Sequence, residues 1–278
     1  MKYLRWSIPA VALLFLTGCF QVIEVIRVNP DGSGTVEESM LLSKKFFAQM
    51  KEMMRGFSSY SGAKPEPMEL FDPARLREQA SAMGEGVTYR SGKKVENADF
   101  TGYTAVYAFT DINKLTLNQK GSGLGAPAGD GQSARMLSFN FAKGSPGFPA
   151  TLTIEQPAEK KVPAAPPVPE APVTVAPAPQ GAVPDEEAAK MAKMLIGMKF
   201  VLAIDINGSI ISTNATHRDG NRLTVLEFDM EKMGDAMSRM EKLNRLKTGS
   251  FGKAKELLKD IPGVKVDMND KLTVVFDK

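Results

Sequence analysis

The run Phe200-Val201-Leu202-Ala203-Ile204-Asp205-Ile206-Asn207-Gly208-Ser209-Ile210-Ile211-Ser212-Thr213 reads as two strands meeting at an Asn-Gly turn. Branched and aromatic side chains on either side suit a pleated surface. Asn-Gly accepts the positive φ angles that a two-residue hairpin turn demands. Strands over 200–206 and 210–217 are therefore predicted to pair with each other. A third, over 223–228, follows the turn Asp219-Gly220-Asn221. A long helix is predicted over 231–246, a short one near 253–258, and a closing hairpin from 264–266 with 272–276. Upstream, Asp185-Glu186-Glu187 opens a helix that carries Met191, Met194, Leu195 and Met198. Acidic residues suit that position because they face the positive pole of the helix dipole.

The first half of the chain carries the same mixture. Strands over 22–28 and 35–42 flank Asn29-Pro30-Asp31-Gly32-Ser33-Gly34. Ser43 is placed to cap a helix in which Phe46, Phe47, Met50, Met53, Met54 and Phe57 recur at helical spacing. Asp72-Pro73 opens a second helix, with aspartate as the cap and proline in the first turn. Strands follow at 87–90, 103–110, 136–141 and 150–154, and in the second of these Tyr103, Ala105, Tyr107 and Phe109 share a face. The fold class is α+β, with antiparallel sheets and amphipathic helices packed on one face.

A Pro/Ala-rich spacer interrupts this pattern. Residues 157–184 hold nine of the chain's eighteen prolines. Each one removes a backbone donor and fixes φ, which bars the stretch from helix interiors and sheet ladders. Residues 121–131, with five glycines, are predicted to form a loop. The chain thus divides into a signal at 1–18, an α+β region at 19–156, the spacer at 157–184, and a second α+β region at 185–278. The two regions are either separate domains or one composite domain with the spacer as an insertion. The second is preferred, because few strands follow the spacer.

The opening residues have the parts of an export signal. Lys2 and Arg5 are positive, residues 8–16 are mostly apolar, and small residues precede Cys19. Leu16-Thr17-Gly18-Cys19 resembles the bacterial lipobox. That resemblance implies a diacylglyceryl group on the Cys19 thiol, cleavage before Cys19, and a further acyl chain on its new amine. Phe20, in place of aspartate after the cysteine, resembles the outer-membrane sorting pattern of bacteria with two membranes. The expected location is the cell envelope, lipid-anchored on the extracytoplasmic side. Cleavage removes Lys2 and Arg5, which takes two positive charges from the formal +3 and leaves +1. No basic block interleaved with aromatics is present, so nucleic acid is not an expected partner. With one cysteine, no internal disulfide can form.

The stretch from Phe200 to Ala215, with Gly220-Asn221-Arg222-Leu223-Thr224-Val225, resembles the LppM-like lipoprotein domain family. That family runs from a strand through a Pro-Gly turn into a strand with Thr-Asn-Ala, and then through a Gly-Asn turn. This chain departs at Asn207, where proline is usual, and at Val225, where tryptophan is frequent. The resemblance implies an envelope lipoprotein with an α+β sheet domain that handles lipids, and it transfers no catalytic residue.

Chemistry-bearing motifs are scarce. Asn29, Asp31, Ser33 and Gly34 imitate the start of a calcium loop, but Met40 stands where the bidentate glutamate belongs, so a hairpin turn is expected. His217 is the only histidine, and it adjoins Arg218-Asp219 at a strand end. No nucleophile elbow or phosphate loop is present, and no acid stands out as half of a catalytic pair. No cofactor or metal is expected. Methionine is abundant, at sixteen residues, and Met230, Met233, Met237 and Met240 form one stripe of the long helix. Such a stripe either fills a core or offers an apolar surface to a lipid tail or partner helix. The reading is a non-enzymatic, membrane-anchored envelope lipoprotein that binds a protein partner or an apolar ligand. A structural or assembly factor comes next, and a carboxylate-based enzyme third.

Overall fold

A computed structural model describes residues 19–61, 69–118, 135–155, 197–233 and 258–277. The spacer, the loop at 121–131 and most of the helices predicted at 185, 231–246 and 253–258 lie outside these residues; Met198, expected on the first of these helices, instead begins a strand that pairs with Phe20.

The chain enters structure as β1 (Phe20–Val28), turns, and returns as β2 (Gly34–Ser43) in full antiparallel register. The turn is tied by its own side chains. Asp31 Oδ1 accepts from the Ser33 amide at 2.9 Å and from its hydroxyl at 2.6 Å, and Gly32 takes φ +88°. Helix α1 (Lys44–Ser61) follows directly, with the Ser43 hydroxyl accepting from the Phe46 amide at 3.1 Å. Helix α2 (Pro73–Ala82) starts on the expected cap, with Asp72 Oδ1 accepting from Ala74 N at 2.8 Å. Next come β3 (Thr88–Glu96), β4 (Phe100–Phe109), a 3-10 turn at Ile112–Lys114, β5 (Leu117–Asn118), β6 (Arg135–Ala142) and β7 (Ala150–Glu155). After the spacer come β8 (Met198–Ile206), β9 (Ser209–Thr213), β10 (Arg218–Asp219), β11 (Arg222–Asp229), α3 (Met230–Met233), β12 (Val264–Val266) and β13 (Lys271–Asp277).

These strands form two sheets. The larger runs β10-β11-β8-β1-β2-β4-β3, with β12 also on β11, and the smaller runs β5-β6-β7-β13-β9. Every described pairing is antiparallel except β1 with β8. Side chains from both sheets meet in one core, where Ile26, Val36, Tyr107, Ile204 and Leu223 of the larger sheet join Leu137, Leu152, Ile154, Val274 and Phe276 of the smaller. The architecture is α+β in the broad sense, but rich in strand. Among the described residues the second sheet gives most of the cover over this core. Leu76 and Ala80 of α2 add to it.

Two expected hairpins are not formed. Strand β8 lies between β1 and β11 in the larger sheet, whereas β9 crosses to the smaller one and pairs with β13. The Asn207-Gly208 step is therefore a change of sheet. Its groups are satisfied across the crossing, with Asn207 N donating to Val28 O at 2.8 Å and its side-chain amide to Asn29 Oδ1 at 2.8 Å. Gly208 is needed there because a Cβ would stand 2.1 Å from Asp277 O. Likewise β12 joins β11 while β13 pairs with β7 and β9. Local turn chemistry permitted both hairpins, but β8 pairs instead along its length with β1 and β11, and β13 with β7.

Gly102 marks a close approach of β4 to β2, since a Cβ there would lie 1.9 Å from Met40 O. Gly102→Ala must spread two central strands and is expected to cost about 1–3 kcal/mol or more. A urea midpoint equal to wild type would show that the strands do not approach so closely.

Candidate functional site

Two places on the larger sheet carry unusual chemistry. The first is the edge at which β1 and β8 begin and β2 ends. Cys19 immediately precedes β1 and is partly exposed, and its carbonyl accepts from Ser43 N at 2.7 Å. Phe20 pairs with Leu42 on one side and Met198 on the other, and its ring meets Phe200 edge-on at 5.6 Å. The lipobox residues Leu16, Thr17 and Gly18 lie outside the described residues. No helix among the described residues is long and apolar enough to cross a membrane.

The second place is a pair of buried carboxyls that the sequence reading passed over. Along β1, Val22, Glu24, Ile26 and Val28 point into the core, and along β2 so do Val36, Glu38 and Leu42. Glu24 and Glu38 are direct cross-strand partners, 5% and 1% exposed. Their neighbours in the same row are Leu202 on β8, Ala105 on β4 and Gly92 on β3. The small residues at 105 and 92 leave space that aromatic rings fill. Tyr103 and Tyr107 flank Ala105 on β4, and a Cβ on Gly92 would collide with the Tyr89 hydroxyl at 2.6 Å. The Tyr103 hydroxyl donates to Glu38 Oε1, and Gln79 of α2 donates to Glu38 Oε2 at 2.7 Å.

The two acids are not equivalent. Glu38 holds two donated hydrogen bonds, whereas Glu24 Oε1 and the Tyr107 hydroxyl are buried without a hydrogen-bond partner among the described residues. Burial, and then the charge of Glu38, push the Glu24 carboxyl up to about 8. Burial also raises Glu38, against the opposing hydrogen bonds from Tyr103 and Gln79. The tyrosines are raised as well, first by burial and then by the charge of Glu38. At neutral pH Glu24 therefore holds its proton, and of the two acids Glu38, with its two donated hydrogen bonds, is the better placed to carry a charge. Carboxyls in this arrangement can store or release a proton. They lie beneath the sheet, away from solvent.

The opposite face of the sheet carries a row of charges. Glu37, Arg27, Asp205 and Arg222 alternate in sign across β2, β1, β8 and β11. The Arg222 guanidinium grips Asp205 through two contacts of 2.7 Å. A concavity of about 480 Å³ is lined by Ile23, Val25, Glu37 and Lys93, and also by Glu38, Gly92 and Ala105 of the acid row. At the far end of β1, Pro30, Asp31 and the 143–148 loop enclose another of about 330 Å³, beside Phe148, which is 72% exposed.

Of the methionine stripe, Met233 is 2% exposed and packs with Ile261, Val264 and Val266 in a small satellite core, which Met230 borders. Met237 and Met240 lie outside the described residues. His217 is half-buried, and its carbonyl accepts from Thr224 N at 3.0 Å. Among the described residues no three potential ligands gather as a metal site would need. The acid pair had a signal in the sequence, since Glu24 shares the alternation of Val22, Ile26 and Val28, and Glu38 that of Val36 and Leu42.

No protein-family model matches the chain, and no curated protein matches it. Among solved structures, the NMR structure of the Mycobacterium tuberculosis LppM folded domain aligns over 94% of this chain and 92% of that one. Identity is 9% and the TM-score 0.35, so the resemblance is weak and transfers no residue role.

Proposed function

We propose that the chain is an exported lipoprotein of the cell envelope, held through acylated Cys19 on the extracytoplasmic side, that acts by binding rather than catalysis. The observation that carries this reading is where Cys19 stands. The lipobox cysteine is the residue immediately before β1, partly exposed at the sheet's edge, so acyl chains attached there meet no core. An anchor at that point needs no span through the bilayer. Two or three acyl chains, at about 0.8 kcal/mol per buried methylene, make it durable. The bound species is a protein partner or an apolar ligand. In support of binding over catalysis, both acids with perturbed ionisation are buried, and Glu38, which borders the 480 Å³ concavity, has both carboxyl oxygens engaged by Tyr103 and Gln79. The outer membrane is the proposed location where the organism has one.

The anchor is tested with Cys19→Ser. The variant is expected to accumulate as an unprocessed precursor that takes up no labelled fatty acid, whereas the wild type carries two or three acyl chains by intact mass. Label on the serine variant would end the proposal.

A further inference from the structure

Helix α1 is only loosely embedded where its side chains are described. It has eighteen residues, and among its described side chains none is buried, whereas the shorter α2 fully buries Leu76 and Ala80. Phe46, Phe47 and Met50 are only half covered, although they head a stripe that Met53, Met54 and Phe57 continue at helical spacing. An apolar stripe of that length normally faces a core. The helix's own charges are mostly of one sign, with Lys44, Lys45, Lys51 and Arg55 against Glu52, while Glu96 of β3 lies 3.5 Å from Lys44 Nζ. Lys51 Nζ sits 4.4 Å from the centre of the Phe47 ring, which places an ammonium at the border of the apolar stripe. Long basic side chains take that position when their stems lie on apolar surface and their heads reach for phosphate.

Position completes the argument. The Cys19 carbonyl accepts from Ser43 N, so the first turn of α1 starts one hydrogen bond from the anchor residue. Acyl chains leaving Cys19 fix the bilayer surface at this edge of the sheet and bring the start of the helix within reach of it. We infer that α1 lies in the headgroup region of the same leaflet, as an amphipathic foot whose Phe46, Phe47 and Met50 enter the acyl boundary while Lys44, Lys45 and Lys51 engage anionic phospholipid. The inference rests on the anchoring reading for its geometry, and its test separates the two.

The full chain is expressed with its signal, purified by gentle extraction and returned to vesicles of phosphatidylcholine and phosphatidylglycerol. Acylation blocks Cys19, so a nitroxide can be placed on Met50→Cys or on Gln49→Cys alone. Both positions lie outside the core, so both variants are expected to unfold at the wild-type temperature. Molecular oxygen is expected to relax the label at 50 more strongly than a water-soluble nickel complex does, with the reverse at 49. High salt or vesicles of phosphatidylcholine alone should weaken the contrast, because the basic residues no longer pull the helix down. Acylated protein on vesicles with both labels open to the nickel complex would overturn the foot and leave the anchor standing. A label at 50 shielded from both reagents, with or without vesicles, would mean protein cover or a second copy, and would also overturn it. An intact mass without acyl chains would remove the anchor instead. With Cys19 then changed to Ser so that position 50 is again the one labelled, entry of the unacylated chain into anionic vesicles would still support the foot, and no entry would reject it.

Discussion

Glu24→Gln is expected to stabilise the protein strongly at pH 8 and to change it little at pH 4.5. Burial and the neighbouring Glu38 raise the folded-state carboxyl to about 8, from the 4.5 of an unhindered glutamate. The folded state therefore holds this proton more tightly than the unfolded state does. Stability is intact below about pH 4.5, falls as the unfolded chain ionises between 4.5 and 8, and levels off once folded Glu24 also ionises. At roughly 1.4 kcal/mol per unit, the loss by pH 8 is on the order of a few kcal/mol, a large share of the ~5–15 kcal/mol that holds a domain together. Glutamine cannot ionise, nearly matches the shape, and keeps polar groups that can reach Tyr107 or Glu38. Glu38→Gln should gain less, because its carboxylate already accepts from Tyr103 and Gln79. Urea denaturation of wild type and both variants at pH 4.5, 6 and 8 decides the matter. A wild-type protein with no loss of stability between pH 5 and 8 would mean that Glu24 is not buried as described.

Cutting the chain within residues 157–184 is expected to leave both pieces bound together and folded, whereas either piece made alone should fail to fold. Strands from both sides of that stretch share both sheets. Strand β8 is paired along its length between β1 and β11, and β13 lies between β7 and β9. Leu202, Ile204, Ile206, Leu223, Val225, Leu272, Val274 and Phe276 all come from the second piece and are at most 6% exposed. Each contributes about 1.5–3 kcal/mol by burial, so their joint removal exceeds the net stability of a typical domain. Scission within residues 157–184 leaves these strand pairings in place and removes the entropic advantage of one covalent chain. A specific protease site inserted there, followed by sizing and far-UV circular dichroism, reads the outcome. Cooperative unfolding of an isolated piece would show that it has a core of its own.

Much of the local structure was legible in the residues. The alternation in β1, β2 and β4 placed Tyr103, Ala105, Tyr107 and Phe109 on one face, and all four are buried. The caps at Ser43 and Asp72 and the turn at 29–34 stand where side-chain chemistry put them. The acid pair was missed for a different reason. Glu24 and Glu38 have the right phase for the core, but an acid at such a position counts against burial until the partners that permit it are known. Those partners, Tyr103, Gln79 and the small Ala105 and Gly92, come from β4, α2 and β3.

What the sequence determined by itself was whatever depends on near neighbours: strand faces, helix starts, and the Leu-Thr-Gly-Cys motif ahead of Phe20. The β1–β2 hairpin follows from its turn, but the tertiary structure decided the pairings between distant strands, because backbone hydrogen bonds are chemically alike for every strand and carry no address. Asn207-Gly208 could have closed a hairpin. It instead carries the chain from one sheet to the other, since β8 gains a full-length place between β1 and β11 while β9 finds its ladder on β13. That choice balances burial over the whole core, and no window of sequence around the turn contains it.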